Sequence, residues 1–208
     1  ERGLLPSYLA YQGHELRDKT VGLVGLGATG LATARRLTGY GVRLIAHDPF
    51  VDADVAAAVD AELVALDALL ESADILSLHV PLSPATKGMI GARELGLLKP
   101  TAVLVNSARA ALVDPHALIE TLRAGRIAGA ALDVYLQEPL PTDDPLLSLP
   151  NVVLSPHLGG ATHEVADHQS RIAWESLAAF LDGQPINVVN PDAIGPARAR
   201  LRGESAPA

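Results

Sequence analysis

Apolar and polar residues fall along this chain in blocks. Short, largely apolar runs sit at 20–25, 42–46, 62–65, 74–80, 102–106, 129–134 and 152–155. Between them, at 28–39, 52–58, 66–72, 91–98, 114–124 and 161–182, apolar positions recur every three or four residues. The first kind of run suits strands, the second amphipathic helices. A strand apolar along its length, such as Ala102-Val103-Leu104-Val105, belongs in a parallel sheet covered on both faces. Strands alternating with helices predict an α/β fold, a doubly wound parallel sheet. The punctuation agrees. Gly39 and Gly41 follow the first helix, Gly125 follows Leu122-Arg123-Ala124, and Asp114-Pro115 offers an N-cap with proline at the first helical position.

The first strand breaks into Gly25-Leu26-Gly27-Ala28-Thr29-Gly30, and the helix after it places Leu31, Ala34 and Leu37 on one face. A helix N-terminus has unpaired N–H groups and a partial positive charge, which attract phosphate. In such a turn Gly25 permits the reversal, Gly27 lets a pyrophosphate approach the backbone, and Gly30 lets helix and strand pack closely. A plain strand-turn-helix is the competing reading. The strand before and the helix after favour dinucleotide binding. Asp48 ends the second strand, 18 residues after Gly30, where a carboxylate would accept bonds from the adenosine ribose and repel a 2′-phosphate. That predicts NAD rather than NADP. Against it stand the reading of a loop aspartate before Pro49 and the offsetting charge of a protonated His47.

Composition narrows the partners. Nearly half of the 208 residues are apolar, enough for the core of one large domain or two small ones. The formal charge is −8 and the sixteen basic residues form no block, which argues against nucleic acid. With no cysteine there is neither a disulfide framework nor a thiolate metal site. His163 and His168 lie five apart and do not share a helix face, so no metal is expected. No apolar run reaches the roughly 20 residues that span a bilayer. Glu1-Arg2-Gly3 opens no signal peptide. A cytoplasmic protein without a membrane partner is the expectation. A start at Glu1 rather than Met reads as a fragment or a processed product.

Ligands of open parallel sheets lie at the carboxyl ends of strands. Three successive strand ends here carry Arg109, Glu138 and His157. Neighbouring strands are about 4.8 Å apart, so the three side chains can converge. Singly, each has a plain reading: an arginine at a helix start, a loop acid before proline, a histidine in a turn. His79 is a candidate to line the cofactor pocket, whereas His14, His47 and His116 read as solvated.

Taken together, Val21-Gly22-Leu23-Val24-Gly25-Leu26-Gly27 with its third glycine, Leu78-His79-Val80-Pro81-Leu82, Asn106-Ser107-Ala108-Arg109, Asp133 through Glu138-Pro139, and Ser155-Pro156-His157-Leu158-Gly159-Gly160-Ala161-Thr162 resemble the D-isomer-specific 2-hydroxyacid dehydrogenases. That group includes the D-3-phosphoglycerate and glyoxylate/hydroxypyruvate reductases. The likeness covers about residues 14–191, and the spacings of 29 from Arg109 to Glu138 and 19 from Glu138 to His157 suit it. It implies that Arg109 holds the substrate carboxylate, that His157 is the general acid or base, and that Glu138 fixes its tautomer. It implies that Asp133 orients the nicotinamide of NAD. It places Gly25, Gly27, Ala28, Thr29, Gly30, Asp48, Val80, Pro81, Ser107, Ala108, Arg109, Asp133, His157 and Gly159 at the cofactor.

The resemblance also implies a small 2-oxoacid or 2-hydroxyacid as substrate and a homodimer joined through the nucleotide domain. Leu140-Pro141 and Leu146-Leu147-Ser148-Leu149 are candidates for that contact or, equally, for the interior. The organisation it implies is a lead-in at 1–16 from a largely missing substrate domain and an NAD-binding Rossmann domain at 17–160. A crossover helix and return segment follow at 161–191. Residues 192–208, rich in alanine, proline and arginine, read as a disordered tail. One departure is Ala110, where the family often has glycine. Two other readings stand beside the enzyme: an NAD-responsive, corepressor-like binding module, and a fragment inactive on its own.

Overall fold

The computed structural model describes residues 13–201. The start of the expected lead-in, with Leu4, Leu5, Tyr8, Leu9 and Tyr11, lies outside them. The chain divides into two compact units, Glu1–Gly159 and Gly160–Ala208.

In the first unit, seven strands form one sheet: β1 Thr20–Val24, β2 Arg43–His47, β3 Ala61–Leu63, β4 Ile75–Leu78, β5 Val103–Asn106, β6 Gly129–Leu132 and β7 Val152–Leu154. All pairings are parallel, in the order β3-β2-β1-β4-β5-β6-β7. Helices α1 Ala28–Leu37, α2 Ala53–Ala57, α3 Leu66–Ser72, α4 Ala92–Leu97 and α5 Pro115–Arg123 connect them. This is the doubly wound α/β sheet that the block pattern predicts. The central strands β1, β4, β5 and β6 are largely apolar because most of their residues are buried, whereas the outer strands β2, β3 and β7 include exposed positions such as Arg43, Glu62 and Val153. Along β1, Val21 and Leu23 enter the cluster that also holds Ala34 of α1, while Val24 enters the one that holds Leu69 and Leu70 of α3. Leu31 and Leu37 pack beside Ala34, as their spacing requires.

Local chemistry sets the helix ends. The Asp114 carboxylate accepts the Ala117 N–H at 2.9 Å, with Pro115 next to it at the first helical position. Leu146 and Leu149 pack against the core, so the interior reading holds for them, whereas Leu147 is exposed.

From β1 the chain winds outward to β3, then returns to place β4 on the other side of β1. Loops that leave adjacent strands in opposite directions open a crevice at their carboxyl ends. The glycine turn follows β1 at that point.

In the second unit, α6 spans His163–Leu181 and α7 spans Ile194–Leu201. Within the stretch read as a tail, Ile194–Leu201 is thus helical. Alanine, leucine and arginine are strong helix formers, and Pro196 falls in the first turn, where its missing N–H costs nothing. Arg198 lies 5.6 Å over the Phe180 ring and Ala199 is buried. Composition hid an order that propensity and packing supply. No helix among the described residues is long and apolar enough to cross a membrane.

Candidate functional site

The turn after β1 is built by Gly25 and Gly30. Gly25 has φ +95°, and its N–H donates to His47 O at 2.9 Å. A Cβ on Gly30 would lie 2.2 Å from the Gly25 carbonyl oxygen, so only glycine lets α1 start this close to β1. Gly27, Ala28 and Thr29 are exposed at the start of α1. No side chain caps that helix and its first turn carries no acid. A Cβ on Gly27 would meet nothing within 4 Å. Unpaired N–H groups facing open space fit a pyrophosphate.

Asp48 stands beside this turn and helps to fold it. Its Oδ2 accepts the Leu26 N–H at 2.8 Å and its Oδ1 the Phe50 N–H at 3.0 Å. A carboxylate has about four acceptor sites, so capacity remains for ribose hydroxyls. His47, expected to be solvated, is half-buried with Nδ1 3.1 Å from Val64 O. Below the turn, Val80 and the His79 backbone fill the space beside Gly25. Burial pushes the His79 imidazole pKa down, and its Nε2 pairs with Ser77 Oγ at 3.0 Å. Pro81 is exposed, and its carbonyl accepts from Thr86 Oγ1 at 2.7 Å.

At the end of β5, Asn106 is buried and binds both sides of the next loop: Ala108 N–H to its Oδ1 and its Nδ2 to Arg109 O. Ser107 and Arg109 are exposed. One Arg109 terminal nitrogen donates to Ala108 O at 2.6 Å. The guanidinium forms no ion pair with a carboxylate among the described residues.

The ends of β6 and β7 are tied together by Asp133. Its Oδ1 accepts Ser155 Oγ at 2.6 Å and Leu158 N–H at 2.8 Å, and its Oδ2 accepts Gly159 N–H at 2.8 Å. Expected at the nicotinamide, Asp133 thus uses three of its roughly four acceptor sites on the loop that carries His157. Burial raises its carboxyl pKa, but these three donors and the nearby His157 outweigh that and leave it lowered. Tyr135 adds a second tie, its hydroxyl lying 3.0 Å from Leu132 O and 2.8 Å from Ser155 O.

His157 sits in the left-handed region, φ +56°. Its Nδ1 meets Glu138 Oε2 at 2.8 Å, and Glu138 Oε1 accepts the Tyr135 N–H at 3.0 Å. The bond from His157, and then that N–H, hold the Glu138 carboxyl below its ordinary pKa. A carboxylate on Nδ1 leaves Nε2 as the nitrogen free to exchange a proton.

The structure therefore brings Glu138 and His157 into contact. It sets Arg109 at the neighbouring strand end and the glycine turn on the same edge of the sheet. The sequence names Asn106 and Ser155 within its motifs but gives a role to neither, nor to Tyr135. The available signal was a polar residue closing an apolar strand, which marks Asn106 and Ser155 but not Tyr135.

Asp133→Asn should cost about 1–3 kcal/mol, because an amide nitrogen would face the Gly159 N–H and leave it unpaired. A carboxyl whose folded pKa is depressed contributes stability above its unfolded value of about 3.9, and that stability is lost as pH falls through the folded value. Urea denaturation across the acid range should therefore show a shallower acid-side loss for Asp133→Asn than for wild type. Equal slopes would count against the network.

The family model described as "D-isomer specific 2-hydroxyacid dehydrogenase, NAD binding domain" matches residues 3–159. The chain is 45% identical over 183 residues to a glyoxylate reductase of Korarchaeum cryptofilum, covering 88% of this chain and 55% of that protein. A D-3-phosphoglycerate dehydrogenase of Archaeoglobus fulgidus is 40% identical over 187 residues, 89% of this chain and 36% of the relative. Among solved structures, D-lactate dehydrogenase with NAD+ from Lactobacillus jensenii superposes with a TM-score of 0.77 at 32% identity, covering 87% of this chain and 58% of that one. The chain spans about half the length of the glyoxylate reductase it matches.

Proposed function

Because the chain belongs to the D-isomer-specific 2-hydroxyacid dehydrogenase family and carries its NAD-binding domain, we propose that it is the cofactor and catalytic half of an NAD-dependent oxidoreductase acting at C2 of a small D-2-hydroxyacid or 2-oxoacid. The observation that carries this reading is the Glu138–His157 pair, 2.8 Å apart, on the sheet edge where the glycine turn opens. The likeness to glyoxylate reductases supports a substrate of glyoxylate size.

The N–H groups at the start of α1 hold the pyrophosphate, and Gly27 leaves it room. Asp48 accepts from the adenosine ribose with its free acceptor sites. When bound, the nicotinamide supplies or takes up the hydride at the substrate's C2. Arg109 grips the substrate carboxylate, since a planar guanidinium donates two parallel bonds to it. His157 Nε2 protonates the carbonyl oxygen during reduction and removes the hydroxyl proton during oxidation. Glu138 keeps the proton of the neutral ring on Nδ1 and fixes the ring's orientation. Asp133 fixes the loop from which His157 projects. The same reading makes a second copy, joined through this domain, the protein partner, and exposed Leu136 and Leu147 are available to such a contact.

The full-length protein should oxidise NADH when glyoxylate is added, and should bind NADH at least about tenfold, about 1.4 kcal/mol, more tightly than NADPH. Fluorescence titration of both cofactors against wild type and Asp48→Ala checks this. The variant should narrow the gap, and tighter NADPH binding by the wild type would refute the role of Asp48.

A further inference from the structure

We propose that Asn106 is a positioning residue for Arg109, whose guanidinium it directs by folding residues 107–109 with both ends of its carboxamide. The inference rests on the role given to Arg109 above.

Asn106 ends β5 with only 2% of its surface exposed. Its Oδ1 accepts the Ala108 N–H at 3.1 Å while its Nδ2 donates to the Arg109 carbonyl at 2.9 Å. One rigid amide thereby encloses the stretch of backbone from which the Arg109 side chain springs. Asn106 is fixed in turn. It pairs with Leu78 on one side and Leu132 on the other, and its carbonyl accepts the Asp133 N–H at 3.0 Å. The Arg109 loop is therefore referenced to the strand end that leads, through Asp133, to the loop of His157.

Arg109 needs such support because its own side chain has little. It is exposed, and its one hydrogen bond among the described residues goes to the carbonyl of the preceding residue. A long side chain with no carboxylate to hold it takes its direction from its backbone.

The task calls for one donor and one acceptor at a fixed separation, and asparagine supplies both. Aspartate has the same shape but only acceptors when ionised, so it would meet the Arg109 carbonyl with a lone pair. Serine can accept the N–H two residues on but is too short to reach the carbonyl three residues on. Leucine has the size and no polar atom. A polar residue closing the apolar strand Val103-Leu104-Val105 is otherwise costly, since burial of an amide is tolerated only when it is hydrogen-bonded.

The test is a double-mutant cycle in the full-length protein, with steady-state reduction of glyoxylate and NADH titration as readouts. Asn106→Asp should lower kcat/KM for glyoxylate about tenfold, within the range set by one lost neutral hydrogen bond. The loss in kcat/KM should exceed any loss in NADH affinity, because the glycine turn and Asp48 are untouched and only the short stretch 107–109, expected at the cofactor, moves. In an Arg109→Gln background, which removes the grip itself, Asn106→Asp should have no further effect, since coupled residues are not additive. A residue that served only general stability would lower activity in both backgrounds.

If Arg109→Gln impairs turnover and Asn106→Asp does not, or if the double variant is about tenfold worse than Arg109→Gln alone, the positioning role is overturned and the proposed function stands. If Arg109→Gln leaves kcat/KM unchanged, the functional reading falls and the role of Asn106 falls with it. Should Asn106→Asp not fold, Asn106→Ser keeps the Ala108 bond, loses the Arg109 bond, and carries the same comparison.

Discussion

Replacing His157 by alanine should lower turnover of a glyoxylate-sized 2-oxoacid by about 10²–10⁴-fold, the usual contribution of a positioned general acid, and leave NADH affinity within about twofold. The geometry separates the two effects. Nδ1 of the imidazole is taken by Glu138 at 2.8 Å, while its backbone is held by the loop that Asp133 anchors through Leu158 and Gly159. Removing the ring deletes the proton donor and leaves that anchor in place. The backbone itself supplies a control. At φ +56° a side chain is strained unless it is one of the few that tolerate the left-handed region, and asparagine does so better than alanine. His157→Asn should therefore lose turnover to the same degree as His157→Ala while melting at a higher temperature. Steady-state kinetics and thermal denaturation of the two variants check both parts. Turnover retained in either variant would remove His157 from the reaction.

The parts of this molecule that were legible in the sequence share a cause. Parallel strands buried on both faces are largely apolar, so Val103-Leu104-Val105 and its equivalents stand out as runs, and a charged or titratable residue in the loop after such a run stands out against it. Arg109, Glu138 and His157 are visible for that reason, as is the glycine turn. The supporting side chains are not. Asn106 and Ser155 look like ordinary strand-end polar residues, and Tyr135 like an ordinary aromatic. Their partners are backbone N–H and carbonyl groups of other strand ends, which a pattern of side-chain types does not encode. Asp133 has a second duty that the sequence does not show: its place points to a ligand, and three bonds within the protein also tie it to the loop of His157, with about one acceptor site to spare. Segments 146–149 and 194–201 were obscured differently. Leucines at 146, 147 and 149 fit a core or an interface equally well until their packing is known. A stretch of alanine, proline and arginine offers few large apolar side chains to bury, which suggests disorder, although alanine and arginine both favour helix.

Alanine at Gly30 should abolish NADH binding and destabilise the fold by at least the about 1–3 kcal/mol typical of an overpacked site. The new methyl would sit 2.2 Å from the Gly25 carbonyl oxygen. That oxygen shares its peptide plane with the Leu26 N–H, which Asp48 Oδ2 holds at 2.8 Å, so it cannot turn aside as a side chain would. Relief requires α1 to move away from β1. That shift pulls the helix N-terminus from the switch point and opens the cluster around Ala34. Gly27 gives the contrasting case three residues earlier. Its φ of −73° suits any residue, and a Cβ there would meet no protein atom within 4 Å. Gly27→Ala should thus fold as well as wild type, or gain about 0.4–1 kcal/mol from a less flexible unfolded chain. Its methyl would instead occupy the space through which a pyrophosphate approaches the backbone, weakening NADH by about tenfold or more, at least about 1.4 kcal/mol. Urea denaturation and NADH titration of the two variants separate the glycine that builds the turn from the one that serves the ligand. Unchanged affinity in Gly27→Ala would mean that the phosphates lie elsewhere, and unchanged stability in Gly30→Ala would mean that the helix is not packed on the strand as tightly as described.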